Sequence, residues 1–168
     1  MTQRVELVLL GAAAIGCVYL LMLRGWRRRQ SRQAFLPAPA LPTGAAQVVV
    51  GAVPGLFVGT TFAGRWLDRV AVHGLCDRSV ADLALCTDGV HLDREGAGPL
   101  LLPFADIEDA APGTALAGKV MGQGGLLLLT WRLGGTLLTS AFRADDHAQH
   151  ARLAAAIRAH LPTAVEAS

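Results

Sequence analysis

One domain with attachments is what 168 residues can hold, and the 52% hydrophobic content, high for a water-soluble chain, is concentrated in the first two dozen positions. The formal charge of +2 combines opposite halves: residues 1–47 carry six Arg against Glu6, giving +5, and residues 48–168 carry nine Lys or Arg against twelve Asp or Glu, giving −3. An acidic folded part excludes nucleic acid as a partner, because binding along a phosphate backbone rests on clustered Lys and Arg.

The first element is an uncharged run, LVLLGAAAIGCVYLLML, over residues 7–23. As a helix it would extend about 26 Å at 1.5 Å per residue, enough for a transmembrane span with Val5 and Trp26 reaching toward the interfaces. Tyr19 and Trp26 suit a headgroup layer, where a ring with one polar edge is favoured. Arg24, Arg27, Arg28, Arg29 and Arg32 follow the run, whereas Arg4 alone, beside Glu6, precedes it. Positive charge is retained on the cytoplasmic side, so this asymmetry predicts residues 1–6 as a short external N-terminus and the remainder inside, at the plasma membrane. A cleaved signal peptide has the reverse pattern, with its charge ahead of the apolar core. Gly11, Gly16 and the alanines between them leave one side of the helix small, which would admit a second membrane helix, including another copy of this chain.

Residues 24–47 read as an Arg-rich juxtamembrane segment followed by QAFLPAPALPTGAAQ, a Pro/Ala linker expected to be an extended connector. A domain is then expected over residues 48–161, with 162–168 as a tail. Its punctuation is that of a mainly β protein, with apolar runs separated by Gly, Pro and Asp. LFVGTTF at 56–62 predicts a strand, with 48–50 ahead of it. Residues 66–73, WLDRVAVH, fit either a short helix or a turn.

Asp88-Gly89 predicts a tight hairpin in which Leu85 faces Leu92, Thr87 faces Val90, and Cys86 lies opposite His91 on the other face. Residues 100–103 and 107–110 offer two more strands. A Gly-rich loop holding Lys119 precedes a second hairpin at Gly134-Gly135, which pairs Trp131 with Leu138 and Leu127 with Phe142. This face, with Leu129 and Leu133, is the predicted core. The chain closes on a helix capped by Asp145 or Asp146, whose stripe of Leu153, Ala154, Ile157 and Leu161 runs up to Pro162. Six or seven antiparallel strands closed by one amphipathic C-terminal helix form a pleckstrin-homology (PH)-like barrel or sandwich.

No GxSxG, HExxH or phosphate-loop pattern occurs, and Gly118-Lys119-Val120 lacks the Ser or Thr that a phosphate loop requires. His73 with Cys76, and Cys86 with His91, are two ligand pairs where a structural zinc site needs four matched ligands. No metal and no cofactor are therefore expected, and Cys76 and Cys86 read as small packed side chains. His147, His150 and His160 have no nucleophile at motif spacing, and Asp106, Glu108 and Asp109 read as a charged strand edge that prevents sheet-to-sheet pairing. No catalytic residue is assigned and an enzyme is not expected.

The stretches GLFVGTTFAGRWLDRVAVHGLCDRSVADL and GLLLLTWRLGG, together with one apolar helix and its Arg-rich exit, resemble single-pass actinobacterial membrane proteins bearing a bacterial PH-like domain, often named as export or transporter proteins. The resemblance implies an anchored interaction module that binds a protein partner at the inner membrane face, with an accessory role in transport or export as one form of it. It also implies an alternative, a sensor of lipid headgroups. Where PH domains cluster cations for a headgroup, this chain has Arg65, Arg69 and Arg78 interleaved with Asp68 and Asp77, and Lys119 as a further contact.

Overall fold

The computed structural model describes residues 2–116, 119–120 and 125–161, and divides into two units, residues 1–35 and 36–168. The expected tail at 162–168 lies outside the described residues, as does the side chain of Lys119.

The first unit is one helix, α1, Thr2–Arg32. It is longer than the apolar run at both ends, because Arg, Gln and Leu are all good helix formers and no Pro or β-branched cluster interrupts the sequence after Leu23. At 1.5 Å per residue its 31 residues extend about 46 Å, so one turn after another of arginine continues the axis of the apolar part. Residues 24–32, expected as the start of a connector, are therefore helical. Arg29 and Arg32 fall in the last turn, where a cation offsets the unpaired carbonyl end of the helix. The stretch Leu9–Arg32 is long and apolar enough to cross a membrane. Leu10, Ile15, Leu20 and Met22 are each about two-thirds exposed along it.

The second unit is mainly β. Its strands are β1 (Val48–Phe62), β2 (Ser79–Cys86), β3 (Gly89–Arg94), β4 (Leu100–Pro103), β5 (Ile107–Gly113), the short pair β6 (Ala115–Leu116) and β7 (Lys119–Val120), β8 (Leu126–Leu133) and β9 (Thr136–Ala144), followed by α2 (Gln149–Arg158). Seven strands form one antiparallel sheet in the order β4-β3-β2-β1-β9-β8-β5. The long β1 sits in the middle and serves both halves. Val48 to Phe57 pair with β2 and Gly55 to Phe62 with β9, the register on the β9 side being irregular between Phe57 and Gly59.

Alternation along these strands sends one set of side chains to a shared core. Phe57, Leu83, Leu85, Leu92, Leu127, Leu129, Trp131, Leu138 and Phe142 are all essentially inaccessible. Helix α2 closes the core with Leu153, Ala154 and Ile157, and Leu161 packs at its margin. A smaller apolar cluster of Val58, Leu116, Leu126 and Ala141 lies apart from it. The PH-like architecture expected from the sequence is the one observed.

The second hairpin has the predicted register, with Trp131 opposite Leu138 and Leu127 opposite Phe142. The first differs. Leu85 pairs with Val90, Leu83 with Leu92 and Cys86 with Gly89, so the turn is Thr87-Asp88 and Gly89 already belongs to β3. Gly89 is needed there because a Cβ at that position would strike the carbonyl of Leu102 on β4, and its φ of 154° is unfavourable for other residues. Each partner shifts by two residues, an even number, so the inward set still faces inward.

One open reading is decided and two other expectations change. Residues 66–73 form turns with an isolated bridge from Thr61 to Arg69, and no helix. The Gly-rich loop is partly strand, since β5 runs on to Gly113 and β6 pairs with β7. Asp146 accepts from the Ala148 N–H at 3.0 Å and so stabilises the turn ahead of α2, whose own first residue has no side-chain cap.

The segment expected as a free connector lies on the domain. Leu36 is buried, and its carbonyl accepts from His73 Nε2 at 2.9 Å. Ala40 O accepts from the Leu101 N–H at 3.1 Å, on the outer edge of β4. Gln47 and Thr87 exchange two bonds, at 2.9 and 3.3 Å. Pro37 packs where a Cβ on Gly134 would be, 2.6 Å from its Cδ. The compact unit thus begins at Leu36, ahead of Val48, because these prolines and alanines cover strand edges and a turn of the sheet.

Candidate functional site

The connection from β1 to β2 is held in shape by its own backbone. Val70 N–H donates to Thr60 O at 3.0 Å and Phe62 N–H to Asp68 O at 3.1 Å, while the turn within is closed by Arg65 to Phe62 and Asp68 to Arg65 bonds of 3.0 and 2.8 Å. Val70, Ala71 and Leu75 are buried at its base. The tip they project carries Trp66, 44% exposed, and Leu67, 64% exposed. A large apolar pair held out by a fixed loop is a feature that core packing does not explain.

Arg65 stands beside this tip. Its guanidinium lies 5.0 Å from the centre of the Phe62 ring and 3.4 Å from the Asp68 carboxylate. Both partners of that pair are well exposed, and such pairs contribute little to stability. Arg69 lies in the bridge to Thr61, close enough that its charge acts on Cys76, and Arg78 is exposed just before β2. The expected headgroup residues Arg65 and Arg69 are thus on one loop, with Asp68 between them. Lys119 is on β7, in a different hairpin.

One residue important to this loop was not singled out in the sequence. Arg94, at the end of β3, is 4% exposed, and its guanidinium donates to Gly74 O, Gly98 O and Ala97 O at 2.8, 3.0 and 3.1 Å while lying 5.0 Å from the Phe57 ring. It ties the return of the β1–β2 connection to the β3–β4 connection. Burial lowers its pKa below the ordinary arginine value, with the Asp77 charge acting the other way. An Arg in an alternating strand reads as a solvent-facing residue, and only the Gly-Ala-Gly carbonyls at 96–98 hint at what it holds.

The histidine and cysteine pairs resolve differently. His73 and Cys76 do not meet on a shared ligand position: His73 Nε2 is on Leu36 O, and Cys76 Sγ donates to Asp77 Oδ1 at 3.3 Å. Burial, then the hydrogen bond and negative charge of Asp77, push the Cys76 thiol up to about 11. Cys86 and His91 are brought together, and Asp88 joins them: one donor atom from each lies within 4.8 Å of the other two. His91 Nε2 is 2.6 Å from Asp88 Oδ1. Burial, followed by the Asp88 charge, raises the Cys86 pKa as well. All three cysteines are free thiols, Cys17 exposed on α1 and the other two buried.

The remaining candidates are structural. His150 is buried on α2 and its Nε2 accepts from the Ala144 N–H at 2.8 Å. His147 stacks on His150, and His160 stacks on Phe104. Glu108 and Asp109 sit on β5, which among the described residues pairs only with β8, and they meet Arg132 and Arg158 in ion pairs. Asp106 lies in the 3-10 turn Phe104–Asp106.

A strand order in which the first strand joins two halves of an antiparallel sheet, with a C-terminal helix closing the core, is accompanied by a direct match. The family profile described as Bacterial PH domain-like covers residues 35–158. The chain belongs to that family. The matched span starts one residue before the compact unit and ends at the last residue of α2, so the Pro/Ala segment belongs to the PH-like domain in sequence as well as in packing. No curated protein matches the chain. PH-like domains are in general interaction modules without a catalytic role, and the PH-like domain here presents a fixed apolar loop tip.

Proposed function

We propose that this chain is a single-pass plasma-membrane protein whose PH-like domain lies in the cytoplasm and holds a protein partner at the inner membrane face through the β1–β2 tip. The observation that carries the reading is the exposed Trp66–Leu67 pair on a loop stapled by backbone bonds and flanked by Arg65. Trp and Arg are the side chains that most often dominate protein interfaces, and a tip that is already ordered loses little conformational freedom on binding. The anchoring half of the proposal rests on α1, which has the length and apolarity to span a bilayer and ends in five arginines suited to the cytoplasmic side. A membrane-embedded transport or export assembly is the class of partner that this location favours.

A second reading, a sensor of lipid headgroups, is supported by Arg65 and Arg69 beside the same tip. The protein reading is favoured because Asp68 lies between these arginines and residues 48–168 carry a net −3, which opposes approach to an anionic leaflet. Crosslinking of the full chain in membranes, followed by affinity recovery, tests the choice. A defined crosslinked partner should appear with the native chain and be lost with Trp66→Ala, and recovery of the bait alone in both would contradict the reading. Sedimentation of residues 36–168 with anionic vesicles, sensitive to Arg65→Ala and Arg69→Ala, would support the lipid reading instead.

A further inference from the structure

The β2–β3 turn gathers three metal-ligating side chains that neither the fold nor the proposed partner binding uses. Alternation directs Leu83, Leu85, Val90 and Leu92 into the core, so Cys86 at the end of β2 and His91 on β3, which pairs with Ala84, project from the opposite face. Asp88, in the turn between them, adds a carboxylate. The Sγ, carboxylate and imidazole donors all lie within 4.8 Å of one another. Ligands of a tetrahedral zinc-class ion sit about 3.5 Å apart, given bonds of about 2.0–2.3 Å, so binding would need a small rearrangement of side chains that opens the 2.6 Å hydrogen bond between His91 and Asp88.

The backbone that carries them is fixed independently. Thr87 is bonded both ways to Gln47, and the Asp88 carbonyl accepts from the Phe104 N–H at 3.3 Å. His91 and Asp88 keep side-chain exposures of 16% and 32%, so a cation can reach them from solvent, while Cys86 closes the inner side.

We propose that Cys86, Asp88 and His91 form a binding site for a borderline-soft divalent cation of the zinc class, with a fourth position open to water or to a donor from a partner. The thiol selects against magnesium and calcium, which take oxygen ligands, and the mixture of thiol, imidazole and carboxylate suits zinc. Three protein ligands with one open position characterise exchangeable or functional zinc sites, whereas purely structural ones are closed by four.

The test uses the full chain in detergent, stripped with a chelator and titrated with cobalt(II) as a spectroscopic probe. One equivalent should produce a thiolate-to-cobalt charge-transfer band with tetrahedral visible bands, and zinc should displace both. His91→Gln and Asp88→Asn, at partly exposed positions that preserve the fold as judged by circular dichroism, should weaken or abolish the signal. Cys86→Ser should remove the charge-transfer band, and Cys76→Ser should leave it intact. Absence of the band in the native chain would overturn the proposal, as would a band that survives His91→Gln and Asp88→Asn unchanged. A band lost with Cys76→Ser and kept with Cys86→Ser would likewise refute it.

Discussion

Ser140 on β9 lies at the centre of the buried polar contacts of the core. Its hydroxyl accepts from the Trp131 indole N–H at 2.9 Å and bonds Thr60 Oγ1 at 2.8 Å, so the largest side chain of the core meets a polar partner inside it. Ser140→Ala would leave a buried indole N–H unpaired and should cost about 1–3 kcal/mol in urea unfolding, whereas a cost below a few tenths would show that the bond is dispensable. Arg94 carries a larger share. Arg94→Ala leaves three loop carbonyls without their donor and should cost about 2–4 kcal/mol, and Arg94→Lys should recover only part of it because one ammonium cannot match the guanidinium fork. The Cys76 thiol makes stability depend on alkaline pH. Its pKa rises from 9.0 to about 11 on folding, so the folded state keeps this proton longer than the unfolded state does. That contribution is fully present below pH 9.0 and is lost as the pH rises through about 11, and the native chain should lose more stability over that window than Cys76→Ala.

At the scale of elements, the Pro/Ala segment decides where the domain begins. Pro37 fills the space above Gly134, so Gly134→Ala, at a φ of 56°, should strain the β8–β9 turn and displace the segment together. We expect a loss of about 1–2 kcal/mol and faster proteolysis at residues 37–47; protection equal to that of the native chain would contradict the packing. The β8–β9 hairpin was legible because Gly134-Gly135 sits between two alternating runs whose large residues can face each other in only one register. The β2–β3 hairpin was legible in its faces and not in its turn. An Asp-Gly pair reads as the two turn residues, and the requirement that moves Gly89 into the strand comes from Leu102 on β4, a neighbour remote in sequence. Proline-rich composition likewise reads as an extended connector, and nothing local announces that His73, Leu101 and Thr87 bind it. At the candidate sites, Arg65 and Arg69 were readable as one loop, and Cys86 with His91 as neighbours. Asp88 was absorbed into the turn signal and Arg94 into the strand pattern, so the place of Asp88 beside Cys86 and His91, and the carbonyls that Arg94 holds, emerged only from the folded backbone.

For the molecule as a whole, charge is divided as the fold is divided, with +5 in residues 1–47 and −3 in residues 48–168. The arginines that make the chain basic belong to α1, where Arg24, Arg27, Arg28, Arg29 and Arg32 follow an apolar run, and the PH-like domain is a mildly acidic body with an apolar tip. Anchoring would raise the domain's effective concentration near membrane partners, so weak contacts made by a small tip can suffice for binding. Everything proposed for the domain therefore depends on α1 staying in the bilayer with its arginines on the cytoplasmic side. The most direct measurement fuses two reporters in turn to the C-terminus of the full chain in bacterial cells, one active only in the cytoplasm and one only after export, with alkaline extraction of the membranes. The chain should stay with the membrane, with the cytoplasmic reporter active and the exported one silent. Release of the chain into the soluble fraction, or activity of the exported reporter, would contradict it.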